Sequence, residues 1–441
     1  MSTLPPGPRS TTLQTLEYIR DPFGTLEKYA RRYGDPFTLR PLAGPMVVTG
    51  SPEGIREIFT ADPNTFERSV ASFLEPLVGS HSLPLLEGAA HKRMRALIMP
   101  LFHGARMKTY GHVMQEIALR HAAEWRPDRV FRMVDTTQAI SLDVIMETIF
   151  GIRNKQRLQL FEDTILEFFR AYTAPLVLFP WLRRGFAGIG AWSRFQNVAA
   201  RFDQLILDEI AARRQELGDR DDILSLLLAA RYEDGGTMTN EEVRDELKTL
   251  LNAGHKNTAV SLAWAFYWLQ REPQVAERLQ TELAQLGPSP DPERLAQLPY
   301  LGAVCNEALR LYPVLGTTLV RRLRLPFRLR GYQLPAGMAV AAVLPLPHFD
   351  SALYPDPMRF RPERFLERKF TPFEYLPFGG GARRCVGAAF ATYEMKIVLG
   401  SILARHRLAL AEDKPVRHIL NSFTIYPKGG VKMSYAGPVN R

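Results

Sequence analysis

The chain has 441 residues, and about 150 residues per domain sets a prior of about three domains. Lys and Arg total 56 against 46 Asp and Glu, a net charge of +10 that favours an acidic partner. The arginines are scattered, with no helix-turn-helix, finger or aromatic-basic RNA signature; this favours an acidic protein or a solvated basic surface over nucleic acid.

In chain order, PFTLRPLAGPMVVTG reads as two short strands around a Gly-Pro turn. SPEGIREIF follows as a helix with Ser51 as N-cap and Pro52 at its first position. Residues 90 to 310 read as mostly helical. Within them LGPSPDPERLAQLPY, residues 286 to 300, reads as a loop between helices, so one domain over 1–441 is expected. Strands return at FRLRGYQLPAGMAVAAVLP, and a last long helix begins after Cys385. Many helices with short strands at both ends predict a mainly α chain with small β-sheets, an α+β class.

No uninterrupted run of about 18 apolar residues suggests a membrane anchor, and MSTLPPGPRS lacks the apolar region of a signal peptide. The two cysteines, Cys305 and Cys385, show no C-x-x-C pairing. A reducing compartment fits that usage, so a cytoplasmic protein is expected.

Thr239 and Glu242 form a capping box that opens a helix running to Gln270. About 30 residues at 1.5 Å each give roughly 45 Å, enough to cross a domain. Its middle, LNAGHKNTAVSLAWAFYWL, should be buried, yet it carries Lys256 and Asn257 beside Gly254.

The most informative segment is PFGGGARRCVGAAFATYEMKIVLGSIL, where three glycines and two arginines precede a cysteine that opens a helix. Positions 386, 390, 393 and 397 fall on one apolar face. Such a thiol is favoured as thiolate by the helix N-terminus, the arginines and accessible loop amides. Gly387 leaves room for a flat ligand. A phosphatase-type cysteine would need an arginine at position 391, which is alanine, and a P-loop would need Gly-Lys-Ser/Thr where the run ends in Arg-Arg-Cys. A structural buried cysteine is the bland alternative.

Phe378, Gly381, Arg383, Cys385 and Gly387 match F-x-x-G-x-R-x-C-x-G at every specified position, and the segment resembles the cytochrome P450 haem loop. The resemblance runs from LPPGPR to the final helix. It implies the P450 fold and haem b (iron protoporphyrin IX), with Cys385 as the proximal thiolate and metal ligand. Glu307 and Arg310 in NEALRLYP, with Arg364 in FRPERF, resemble the family's buried charge network and are expected to be structural. Cys305 is expected to pack. For the haem propionates the resemblance implies His91 and Arg95 in GAAHKRMRALIMPLF, Arg321 in VRRLRL with Arg322 as substitute, and Arg383.

The long helix resembles the family's distal helix, Ala/Gly-Gly-x-Asp/Glu-Thr-Thr. Here AGHKNT keeps Ala253, Gly254 and Thr258 but replaces the acid by Lys256 and the first threonine by Asn257. Those two positions in the family help deliver protons during dioxygen activation. Gly254 is expected to let a ligand lie against the helix. Asparagine does not relay protons as a hydroxyl does. A desolvated lysine is pushed toward neutrality and can serve as an acid near neutral pH. Four readings stay open: a lysine stem lying along apolar surface with its amine turned away, a proton donor, a chemistry without the usual relay, or an engineered pair.

Function is thus expected to be a haem-thiolate monooxygenase acting on an apolar terpenoid, fatty-acyl or polyketide-like molecule. Its electrons would come from a ferredoxin or flavodoxin with an NAD(P)H-dependent reductase. A peroxide-driven, rearranging or dehydrating enzyme is the alternative, and a non-catalytic haem sensor the third reading. Residues 73–86 and 172–192, both apolar, lie where the family builds its substrate roof and access channel.

Overall fold

The computed structural model describes residues 4–67, 74–104, 106–152, 154–173, 176, 180–183, 190–216, 220–287, 289–421 and 424–439. Most of the segment 172–192 is therefore outside the described residues. The chain divides into two compact units, one formed by 1–70, 107–140 and 256–441, the other by 71–106 and 141–255.

The first unit holds the sheets. Phe37–Leu39 and Met46–Thr49 pair as the expected antiparallel hairpin. Met46–Thr49 then pairs in parallel with Ala339–Ala342, which is followed in the sheet by Arg321–Leu323 and Phe66–Glu67. Successive side chains alternate between sheet faces. Val47 and Val340 thus join Ile58, Leu323 and Leu334 in one cluster, while Val48 and Ala341 join Leu26, Tyr29 and Phe37 in another. With both faces buried, each Val, Ile, Leu or Phe among them contributes about 1.5–3 kcal/mol. A three-stranded sheet of Val130–Arg132, Lys432–Pro438 and His406–Leu410 lies in the same unit.

The helix Pro52–Thr60 starts as expected, with Ser51 Oγ accepting the Gly54 N–H at 3.2 Å. The stretch read as a loop at 286–300 contains a six-residue helix, Pro292–Gln297. Asp291 caps it, accepting from the amides of Glu293 and Arg294, with proline at the first position. The capping signal was present in DPE but was outweighed by the density of turn residues.

The second unit is helical among its described residues, with Gly88–Ile98, Lys155–Ala171, Ala191–Gln215 and Ile223–Ala229. Buried Arg213 ties it together, donating to Asp222, Glu209, Ser225 and the Phe150 carbonyl. The long helix spans Asn240–Arg271. Its capping box is formed: the Thr239 amide donates to Glu242 at 2.8 Å, and the Glu242 amide to Thr239 Oγ1 at 3.1 Å. Among the described residues no helix is long and apolar enough to cross a membrane.

Candidate active site

Cys385 sits at the end of a loop whose shape is forced by glycine. Gly379 and Gly381 have φ of +64° and +61°, a region that side chains disfavour. A Cβ on Gly380 would fall 2.2 Å from the Phe59 ring, and one on Gly381 would fall 2.5 Å from the Phe59 carbonyl oxygen. The C-terminal end of Pro52–Thr60 therefore presses directly on the loop. The Cys385 amide donates to the Phe378 carbonyl at 3.0 Å, closing the loop and leaving the cysteine exposed. The helix that Cys385 was expected to open begins three residues later, at Ala388, with Gly387 as its N-cap. Phe390 and Ile397 on its predicted face are buried, and Val386 and Tyr393 half-buried.

Gly387 behaves differently from the loop glycines. Its φ of −84° is ordinary, and an added Cβ would meet nothing nearer than Cys385 Sγ at 4.0 Å. The protein's own packing does not demand glycine there, whereas a flat macrocycle seated on the sulfur would. An exposed soft thiol beside such a cradle fits haem.

Glu307, Arg310 and Arg364 come together as the spacing suggested. Glu307 accepts from Arg310 Nε at 2.7 Å and Nη2 at 2.8 Å, from Arg364 Nε at 3.1 Å and from the Arg361 amide at 2.8 Å. All three side chains are buried. The sequence reading missed His348, also fully buried. Its Nδ1 lies 3.1 Å from the Arg310 carbonyl, and its Nε2 accepts the amide N–H of Leu376, just before the cysteine loop. Burial, with Arg310 nearby, pushes its pKa down to about 3, so the ring is neutral. Its only sequence signal is a histidine that follows two closely spaced prolines in LPLPHFD. Cys305 is fully buried, and burial raises its thiol pKa to about 12, as suits a packing residue.

The proposed propionate partners divide between the units. Arg321 and Arg383, in the first, are both half-buried, and the Arg321 guanidinium lies 3.3 Å from the centroid of the Phe66 ring. Arg322, its proposed substitute, instead donates to the Gly337 carbonyl at 2.8 Å. In the second unit, His91 is buried and Arg95 half-buried on the inner face of Gly88–Ile98, while Lys92, Arg93 and Ala96 are exposed. One turn of helix brings His91 and Arg95 to one face.

On the long helix, Ala253 is exposed, Lys256 and Asn257 are half-buried and Thr258 is buried. Burial lowers the Lys256 pKa from its ordinary value. A Cβ on Gly254 would stand 2.7 Å from Ile145 Cδ1, so on that side the glycine accommodates Ile145. His255 is buried and stacks on Phe169 with ring centroids 5.8 Å apart. The Asn257 carbonyl accepts from Ser261 Oγ.

Comparison with known proteins agrees with this geometry. The cytochrome P450 family model matches residues 3–432. A Mycobacterium tuberculosis protein named cytochrome P450 135A1 is 34% identical over 439 residues, covering 98% of this chain and 94% of that protein. A Mycobacterium bovis protein named cytochrome P450 135B1 is 35% identical over 441 residues, covering 98% and 91%. The solved structure of a cyanobacterial P450, CYP120A1, with retinoic acid bound superposes with a TM-score of 0.86 at 25% identity, covering 98% of this chain and 99% of that one. The chain belongs to the cytochrome P450 family, and it is a haem-thiolate monooxygenase that carries haem b.

Proposed function

We propose that this enzyme inserts one oxygen atom from dioxygen into an apolar small molecule of terpenoid, fatty-acyl or polyketide-like class. The observation that carries the reading is the exposed Cys385 at the end of its glycine-braced loop, beside the unfilled side of Gly387. Bound haem supplies the dioxygen activation. Cys385 holds the iron, the Phe378 carbonyl braces the Cys385 amide, and Gly387 admits the macrocycle. Arg321 and Arg383 would neutralise the propionates, a role the family resemblance also gives to His91 and Arg95. We take the whole chain as one functional domain, because the family match crosses both units without a break. The retinoic acid bound by the cyanobacterial neighbour supports an apolar substrate.

Electrons come from a ferredoxin or flavodoxin with its reductase, and the +10 charge suits such acidic partners. Reduction should therefore slow as salt rises, and a rate unchanged between low and high salt counts against electrostatic docking. The cytoplasm fits the two-cysteine composition.

The Lys256 and Asn257 pair favours a second reading, in which peroxide replaces dioxygen and electrons. On the first reading Lys256, its pKa lowered by burial, gives up a proton that Asn257 and Thr258 help to place beside Ala253 and Gly254. The deciding experiment is an optical titration of the ferric protein with terpenoids, fatty acids and polyketides. The compound that shifts the haem band is then turned over with reductant or with peroxide. Product with peroxide but none with reductant and dioxygen selects the second reading, and the reverse selects the first.

A further inference from the structure

Glu246 lies ten positions before Lys256 in the long helix, and 1% of it is exposed. Its Oε1 accepts the amide N–H of Leu83 at 2.5 Å, and among the described residues Oε2 makes no hydrogen bond and no ion pair reaches the carboxyl. The neighbouring Asp245 is engaged elsewhere, accepting from the His81 amide at 3.0 Å, from His81 Nδ1 at 3.1 Å and from Arg244. Gly79 closes the turn tightly, since a Cβ there would fall 2.1 Å from the Asp245 carboxylate. The 79–83 turn is thus seated on two successive carboxyl groups.

Burial, with Asp245 and Glu242 close by, raises the Glu246 pKa to about 8. Its protonated form is thereby favoured, an O–H donor with an unused end. Glu246 and Ala253 are seven positions apart, which at 100° per residue is two turns less about 20°, with a rise of about 10 Å. They share a helix face, and Ala253 on that face is exposed.

We propose that Glu246 is a specificity-determining residue: Oε1 fastens Leu83 and Oε2 is presented to the substrate. The site then selects an apolar molecule that carries a carbonyl, ether or hydroxyl oxygen about two helical turns from the carbon lying beside Ala253. The inference rests on the monooxygenase reading and names the substrate class more narrowly. A buried donor left unpaired is costly, so a ligand lacking the oxygen is penalised.

The test uses haem-loaded protein and pairs of terpenoid ketones and hydrocarbons of the same skeleton, with dissociation constants from calorimetry. Wild type should favour the ketone about tenfold or more in at least one pair. Glu246→Gln, which keeps an acceptor for Leu83 and an N–H donor, should stay within about threefold of that ratio. Glu246→Leu, which removes both the Leu83 acceptor and the donor, should lose the preference, bringing the ketone-to-hydrocarbon ratio close to one. If Glu246 merely fastens the loop, Glu246→Leu weakens both ligands equally and the ratio persists, which overturns the proposal. Absence of a ketone preference in wild type across the set overturns it without any variant. Failure of the monooxygenase reading appears separately, as a protein without a thiolate-haem spectrum or without turnover.

Discussion

Replacing Glu307 by glutamine removes one charge and leaves the volume unchanged. Glu307 and Arg310 are 0% exposed and Arg364 is 3% exposed, so water cannot screen the charges left behind. Four donors converge on the carboxylate, three of them from the two guanidinium groups. An amide keeps a single oxygen acceptor and turns an N–H₂ toward positive charge. Breaking a buried ion pair from one side costs about 3–5 kcal/mol, a large share of a typical stability of about 5–15 kcal/mol. Arg310 also donates to the carbonyls of His348 and Pro357, and His348 holds Leu376, so the strain reaches the base of the cysteine loop. Urea unfolding of wild type and Glu307→Gln, followed by tryptophan fluorescence, measures the loss, and haem retention on a desalting column reports on the loop. A variant that unfolds within about 1 kcal/mol of wild type and keeps its haem would refute the argument.

Gly387→Ser, which keeps a favoured N-cap residue and whose Cβ meets no protein atom closer than 4.0 Å, should leave the unfolding midpoint of the haem-free chain little changed, yet it should lower haem occupancy; equal haem content in variant and wild type contradicts the cradle. His348 has a folded pKa depressed to about 3 against an ordinary 6.5, so its contribution is full above pH 6.5 and is lost as pH falls toward 3. The slope is up to about 1.4 kcal/mol per pH unit. His348→Gln, which can both donate and accept, should flatten that slope in acid denaturation curves; an unchanged slope excludes His348 as its source. Restoring an acid and a hydroxyl with Lys256→Glu and Asn257→Thr should raise product formed per electron supplied about tenfold or more, while peroxide-driven turnover stays level. No gain in coupling would show that proton delivery does not run through this pair.

The features legible in the sequence were local ones. The Phe378 to Gly387 pattern, the Thr239 and Glu242 capping box, the Ser51 cap and the Glu307 and Arg310 spacing each involve residues within about one to three helical turns or one short loop. Steric and hydrogen-bonding rules at that range leave their mark on neighbouring letters. Whatever joins distant segments had to come from the folded chain. Val47 beside Val340, in parallel strands, carries no periodicity that names its partner. His348 gains a role because Arg310 and Leu376 bracket it, and it is neutral because the fold buries it. The Cβ side of Gly254 is met by Ile145, whereas that of Gly387 keeps its space. Glu246 carries no sign in the sequence of its burial against Leu83, which raises its pKa and favours the protonated acid. A glycine's open side, a histidine's charge and an acid's proton depend on what the rest of the chain places within a few ångströms, and no single segment encodes that.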